Sequence, residues 1–324
     1  TSQLLYEIGS PSYLGPDVTA RFDSLELKQL SSDRVQIEKV KGEPPPETLK
    51  VSMNKLGGFR TDMSIALTGL DIDEKADLVE EAFWKACPYE PADFESVKTK
   101  LVRTDKDDPG TNEEAVALWK ITVKDSDERK VGRAIFNSVN ELGLATIPGM
   151  FGVGGGGNAR PFGIHWPALI PSDLVPQHVI FLEGGRSVVE SHILENSFVI
   201  DLADEKIEKT DFGSTRKAPL GLIVGARSGD KTGNANLGVF ARSEEAWIWL
   251  DNFLTTDKLQ ELLPETAGLK VDRYRLPKIY SLNFVVHGLL EEGVAASTRQ
   301  DSQAKSFGEW LRARVVDLPE GLIG

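Results

Sequence analysis

The chain has 324 residues, 40% hydrophobic and 27% charged, with 50 acidic against 37 basic side chains and a formal net charge of −13. That length sets a soft expectation of two domains, each able to bury a core, and the acidic balance argues against non-specific nucleic-acid binding, which needs a basic face. A single cysteine, Cys87, excludes an intrachain disulfide framework and a cysteine metal site. No stretch reads as a bilayer span or a signal peptide, so a cytoplasmic location is the expectation.

Residues 1–9 read as the end of a helix closed by Gly9. Segments 25–30 and 34–40 read as short strands around a turn at Ser31-Ser32-Asp33, and Pro44-Pro45-Pro46 as a rigid connector. Segments 49–53 and 59–68 flank Lys55-Leu56-Gly57-Gly58, which predicts a hairpin. Residues 73–86 predict a helix, with Ala76, Leu78, Val79, Ala82 and Phe83 favouring one face and Pro88 as its stop. Cys87 reads as a small buried filler. A buried strand over 116–123, an amphipathic helix over 129–142 and a short strand over 144–147 come next. Strands and helices alternating from 49 to 147 define an open α/β layer.

The glycine-rich run 149–158 lacks the helix that a dinucleotide-binding loop must open, and Pro161 and Pro167 break the next segment. A flexible loop or a backbone-lined ligand contact is the expectation. His178 and His192 have no metal-ligand spacing with a third donor and read as ordinary polar residues, and no metal site is legible. Residues 213–219 read as a linker between a first domain, 1–212, and a second, 220–324. In the second, strands are expected over 220–224, 237–241, 271–276 and 282–290. Helices are expected over 243–253, with Ser243 as N-cap, and over 256–263 and 303–315.

The stretch Gly225-Ala226-Arg227-Ser228-Gly229-Asp230-Lys231-Thr232-Gly233-Asn234-Ala235-Asn236 stands out between two apolar runs. Read as a loop, its glycines allow positive φ and leave N–H groups to point at a ligand, while Arg227 and Lys231 hold an anion. The plainer reading is a charged surface turn.

Several segments resemble the acyclic terpene utilisation (AtuA) family. They are Leu4-Leu5-Tyr6-Glu7-Ile8-Gly9, Pro16-Asp17-Val18-Thr19-Ala20, the run from Arg34-Val35 to Lys41-Gly42, Ala226-Arg227-Ser228-Gly229-Asp230-Lys231 and Leu282-Asn283-Phe284-Val285-Val286-His287-Gly288. The resemblance covers nearly the whole chain. It implies an α/β fold: an open α/β layered domain, the carboxy-terminal part of the family's large domain, followed by a smaller ferredoxin-like α+β domain. A family member would carry a long region before Thr1, so that region is an implied partner of this one. The resemblance also implies a metabolic context of branched acyl chains carried as coenzyme A thioesters, without fixing a reaction.

The residues support two functional readings. In the first, the chain is an enzyme of lyase, hydratase or hydrolase type acting on an acyl thioester or small carboxylic acid. No cofactor is implied beyond coenzyme A as part of the substrate. Arg227, Ser228 and Lys231 hold the anion, Asp230 or His287 is the general acid or base, and Asn234, Asn236 and Asn283 orient the substrate. His287, four residues after Asn283 on an expected strand, shares its face. In the second, the small domain is a binding or assembly module in a homo-oligomer, with Asp230 and Arg227 as a structural ion pair.

Overall fold

A computed structural model describes residues 1–145, 147–155, 157–189 and 210–323. His192, Gly156 of the glycine-rich run and the stretch 190–209 lie outside the described residues. By its internal packing the chain separates into two compact units. One comprises 1–53 with 165–324, the other 54–164.

The first unit opens with turns over residues 1–7 where a helix end was expected. Six strands follow: β1 (Ser12–Leu14), β2 (Thr19–Arg21), β3 (Glu26–Ser31), β4 (Arg34–Glu38), β5 (Lys41–Glu43) and β6 (Thr48–Val51). β1, β2 and β5 form a small antiparallel sheet, and β3 and β4 the expected hairpin.

The second unit contains β7 (Asn54–Thr68), α1 (Ile72–Ala86), β8 (Ser96–Val102), β9 (Val116–Asp125), α2 (Glu128–Val131), α3 (Arg133–Leu142), β10 (Met150–Gly155) and β11 (Arg160–His165), whose last residue, His165, belongs to the first unit. Its sheet runs β10-β7-β9-β8, with β11 also on β7. Alternate residues of β7 and β9, among them Ile65, Leu67, Trp119 and Ile121, pack with Val79 and Phe83 of α1 and Ile135 of α3 in one core. The period-two and helical patterns therefore meet as a two-layer α/β arrangement. Leu78, expected on the inward face of α1, is exposed instead, one position off the stripe that Val79 and Phe83 define. Cys87 caps α1 and is buried, as a filler would be.

Two expectations fail here for one reason. The predicted hairpin at 55–58 is a single strand. A Cβ on Gly57 would come 2.4 Å from the Phe162 ring, and Gly58 sits at φ 108, so these glycines serve close approach and a bend instead of a turn. The glycine-rich run likewise supplies β10, paired with β7 through a register shift at Gly152/Gly154. Segment 144–147 forms no strand among its described residues, and the helix expected over 129–142 breaks at Gly132 into α2 and α3.

The first unit resumes with β12 (Ala168–Pro171), paired to β6, and the β13 (Gln177–Ile180)–β14 (Arg186–Val189) pair. The expected linker is mostly β15 (Thr215–Pro219). Then come β16 (Val224–Lys231), β17 (Asn234–Ala241), α4 (Glu244–Phe253), α5 (Thr256–Leu262), β18 (Val271–Leu276), β19 (Ser281–Val286), α6 (Phe307–Ala313) and β20 (Val315–Pro319). Ser243 caps α4 as expected, accepting from Ala246 N at 3.2 Å.

The four-stranded antiparallel sheet runs β16-β17-β19-β18. β17 and β18 are parallel and joined through α4 and α5, with β19 between them, which is a split βαβ unit. The chain order ββαββα gives the ferredoxin-like sheet with its ends moved: βαββαβ joined tail to head and reopened elsewhere. The antiparallel β15–β20 ribbon ties the moved ends together. On one face Val224, Leu237, Val239, Leu282, Phe284 and Val286 build a core with Leu250, Leu259, Phe307 and Leu311 of the helices.

Candidate functional site

The predicted loop is a tight hairpin. β16 and β17 pair from Val224↔Ala241 to Lys231↔Asn234, leaving only Thr232 (φ 61) and Gly233 in the turn. The chain there is extended in a ladder with β17, so the expected loop that would gather N–H groups around an anion does not form. The glycines again serve packing. A Cβ on Gly229 would lie 2.6 Å from Glu7 Cγ, and one on Gly225 2.2 Å from the Phe240 ring.

Alternation along the strands sorts the candidate residues by face. Ser228 and Asp230 lie on the helix side. Ser228 is 2% exposed, and its Oγ accepts from Gly308 N at 2.8 Å, joining β16 to α6. Arg227, Lys231, Asn234, Asn236, Asn283, Asp272 and His287 belong to the opposite face. Residues 1–9 cover part of that face.

Asn236 and Asn283 are both fully buried and bonded to each other, Asn236 Nδ2 donating to Asn283 Oδ1. Asn236 Oδ1 accepts from Glu7 N at 2.7 Å, and Asn283 Nδ2 donates to Gly9 O at 2.6 Å. A backbone partner of known polarity fixes the orientation of each amide. The two asparagines therefore clamp the amino-terminal segment to the sheet, and neither has the exposure that substrate binding requires.

Arg227 lies over the Tyr6 ring, 4.3 Å from its centroid, and Lys305 Nζ donates to the hydroxyl of the same ring, 4.5 Å from that centroid. Arg227, Ser228 and Lys305 line a cleft of about 530 Å³ with Ser2 and Glu309. Lys305 pairs with Glu7 and reaches Asp230 at 3.5 Å. Burial works against the Lys305 charge, but bonds to Glu7 and Tyr6 outweigh it and raise its pKa. Burial likewise opposes the Glu7 charge, yet Lys305 and Tyr6 hold its carboxyl below the ordinary range. The expected Asp230–Arg227 ion pair is absent because the two residues lie on opposite faces.

Asp230 and His287 are not brought together either. Asp230 pairs in register with Ala235, and Ala235 with Val286, which sets Asp230 about 10 Å from Val286 across two strand spacings and on the other face from His287. His287 is not on the strand, since β19 ends at Val286. Its partner is Asp272, Nε2 to Oδ2 at 2.7 Å. Lys270 lies 3.1 Å from the other Asp272 oxygen. Hydrogen bonds from His287 and then Lys270 hold the Asp272 carboxyl below its usual range, so it is an anion that fixes the imidazole.

Lys231 and Asn234 pair across β16 and β17 at the hairpin end of this face, and His287 follows the end of β19 next to them in the sheet. Asn234 Oδ1 accepts from Gly288 N at 2.9 Å and fixes the turn that carries His287. Lys231 is half-buried, and burial together with the nearby Lys50 cation lowers its pKa. Here the structure assembles an oriented imidazole and a poorly neutralised ammonium on one partly open surface. Asp272, the group that completes it, is 15 residues from His287 in sequence. Only strand register reveals it.

The class is defined by a two-layer α/β unit and a ferredoxin-like sheet that keeps Arg-Ser-Gly-Asp-Lys on one strand and Asn-Phe-Val-Val-His-Gly at the end of another. The model of the acyclic terpene utilisation family protein AtuA matches residues 1–181, and that of the AtuA ferredoxin-like domain matches 218–317; the chain belongs to this family. No curated protein and no solved structure matches it. Among the described residues no helix is long and apolar enough to cross a membrane, and no group of three or more His, Cys, Asp or Glu is placed to hold a metal ion.

Proposed function

We propose that the hairpin end of the ferredoxin-like sheet is an acid–base site for a small acyl or carboxylate substrate, presented as a free acid or a coenzyme A thioester. The observation that carries this reading is the 2.7 Å His287–Asp272 contact on the same face as Lys231. With Asp272 ionised, His287 donates through Nε2, which leaves Nδ1 to take a proton from a ligand or return it. Lys231 supplies the charge that a carboxylate or enolate oxygen needs, on a strand two places from the one that His287 follows. Removing or adding a proton beside a carbonyl is the step shared by hydratase and lyase chemistry.

The test follows the imidazole ring nitrogens by two-bond nitrogen–proton NMR while short branched carboxylates and acyl-pantetheine thioesters are added. The His287 resonances, assigned by their loss in His287→Asn, are expected to shift saturably. Lys231→Met is expected to weaken that response about tenfold, the loss of one charge-assisted contact. A panel that leaves His287 unmoved refutes the reading.

A further inference from the structure

A second histidine contact lies outside this dyad. Ser52 Oγ and His165 Nε2 are 2.8 Å apart. Ser52 follows β6 and His165 closes β11, and the next residues bring the two together, with Trp166 N donating to Met53 O at 2.7 Å. Ser52 is exposed, while the other ring nitrogen of His165, Nδ1, is buried. The imidazole thus turns one nitrogen inward, where it has no hydrogen-bond partner, and the other to a solvent-facing hydroxyl, the contact a base makes with its nucleophile without a third group to orient the ring.

Two lysines lie at this end of the sheet, with the Glu7 and Asp230 carboxylates also acting on the second, Lys231. Lys50 lies two residues before Ser52, on the same side of the extended chain. It is close enough to Lys231 for the two ammonium groups to repel. His165 also approaches the β16–β17 turn. A Cβ placed on Gly293 would be 3.4 Å from His165 Cβ and 3.8 Å from Thr232 O.

We propose that Ser52 and His165 are a nucleophile–base pair that accepts the acyl group of an activated ester or thioester. Ser52 Oγ attacks the acyl carbon as its proton passes to His165 Nε2. The carbon–sulfur bond of a thioester breaks, and the proton moves from Nε2 to the departing sulfur, giving a free thiol and an acyl-serine. Water then attacks the acyl carbon, giving a proton to Nε2. The Oγ–carbon bond breaks, Oγ recovers that proton, and a carboxylic acid leaves. The carbonyl oxygen, anionic in each tetrahedral intermediate, meets the Lys50 and Lys231 ammonium groups. The proposal rests on the reading of this end of the sheet as an acyl-substrate site, and it adds a second reaction there, acyl transfer to water or another acceptor.

The probe is an alkyl fluorophosphonate, which phosphonylates a serine activated by a neighbouring base. Intact mass is expected to show one adduct on the chain, mapped by peptide sequencing to Ser52 and absent in Ser52→Ala. His165→Gln is expected to slow labelling about 100-fold with the circular dichroism spectrum unchanged. His178→Gln, a change at an exposed histidine on β13, is expected to label at the wild-type rate. No adduct, an adduct elsewhere, or an unchanged rate in His165→Gln overturns the proposal. A His287 NMR response without Ser52 labelling defeats this pair alone, and labelling without that response defeats the acid–base reading alone.

Discussion

Replacing Asn283 by alanine separates two roles for the same side chain. A substrate ligand would be lost with little change in stability. The structure demands the opposite. Asn283 is fully buried, donates to Gly9 O at 2.6 Å and accepts from Asn236 Nδ2. Alanine orphans both groups, and each buried polar group left unmade costs about 1–3 kcal/mol. The expected loss is therefore about 2–6 kcal/mol, a large share of the roughly 5–15 kcal/mol typical of a folded domain. Asn236→Ala removes the same inter-amide bond and also orphans Glu7 N. The double variant is expected to lose less than the sum, with a coupling of about 0.5–3 kcal/mol. Urea titration followed by tryptophan fluorescence gives the four free energies, with α4 carrying Trp247 and Trp249 under the sheet. A change below about 0.5 kcal/mol in Asn283→Ala, or strict additivity in the cycle, would refute the clamp.

Gly238→Ala places a Cβ 2.4 Å from Leu5 Cβ, a stem atom that cannot swing aside. A cost of about 1–3 kcal/mol in urea unfolding, with faster proteolysis within residues 1–9, is expected. Lys305→Met tests the pairing over the Tyr6 ring through pH. Glu7 is depressed, so its contribution is present above its ordinary 4.5 and disappears as pH falls through the lower folded value. Lys305 is raised, so its contribution is present below its ordinary 10.5 and disappears as pH rises past that. The gap in urea midpoint between wild type and Lys305→Met is expected to be flat from about pH 5 to 9 and to close below about 4.5. A gap that widens in acid would show that the Glu7 charge does not hold this contact.

Features written in neighbouring residues were legible in the sequence. Ser243 capping α4, the helix after Asp71 and the strand over 271–276 all rest on caps, periodicity and alternation. The glycines misled because their reasons lie far away along the chain: Gly57 against Phe162, Gly229 against Glu7, Gly238 against Leu5. A glycine kept for a turn and a glycine kept for a neighbour's side chain look identical in one sequence. The site shows the same division. Lys231 and His287 were marked by their surroundings, whereas Asp272 and the Ser52–His165 contact come only from chain pairing. Asn236 and Asn283 were chosen for chemistry and serve architecture, because nothing local says that residues 1–9 lie over them.

The shifted order of the ferredoxin-like sheet bears on how it folds. In an ordinary βαββαβ chain the strands equivalent to β16 and β17 are the last and the first, and they meet only when the whole module closes. Here a two-residue bend joins them, so their pairing needs almost no loop entropy and is available at once. The costly closure passes to the β15–β20 ribbon, whose partners are about a hundred residues apart. Cutting that ribbon is therefore expected to slow assembly of the module more than loosening the hairpin does, because the ribbon now carries the long-range step.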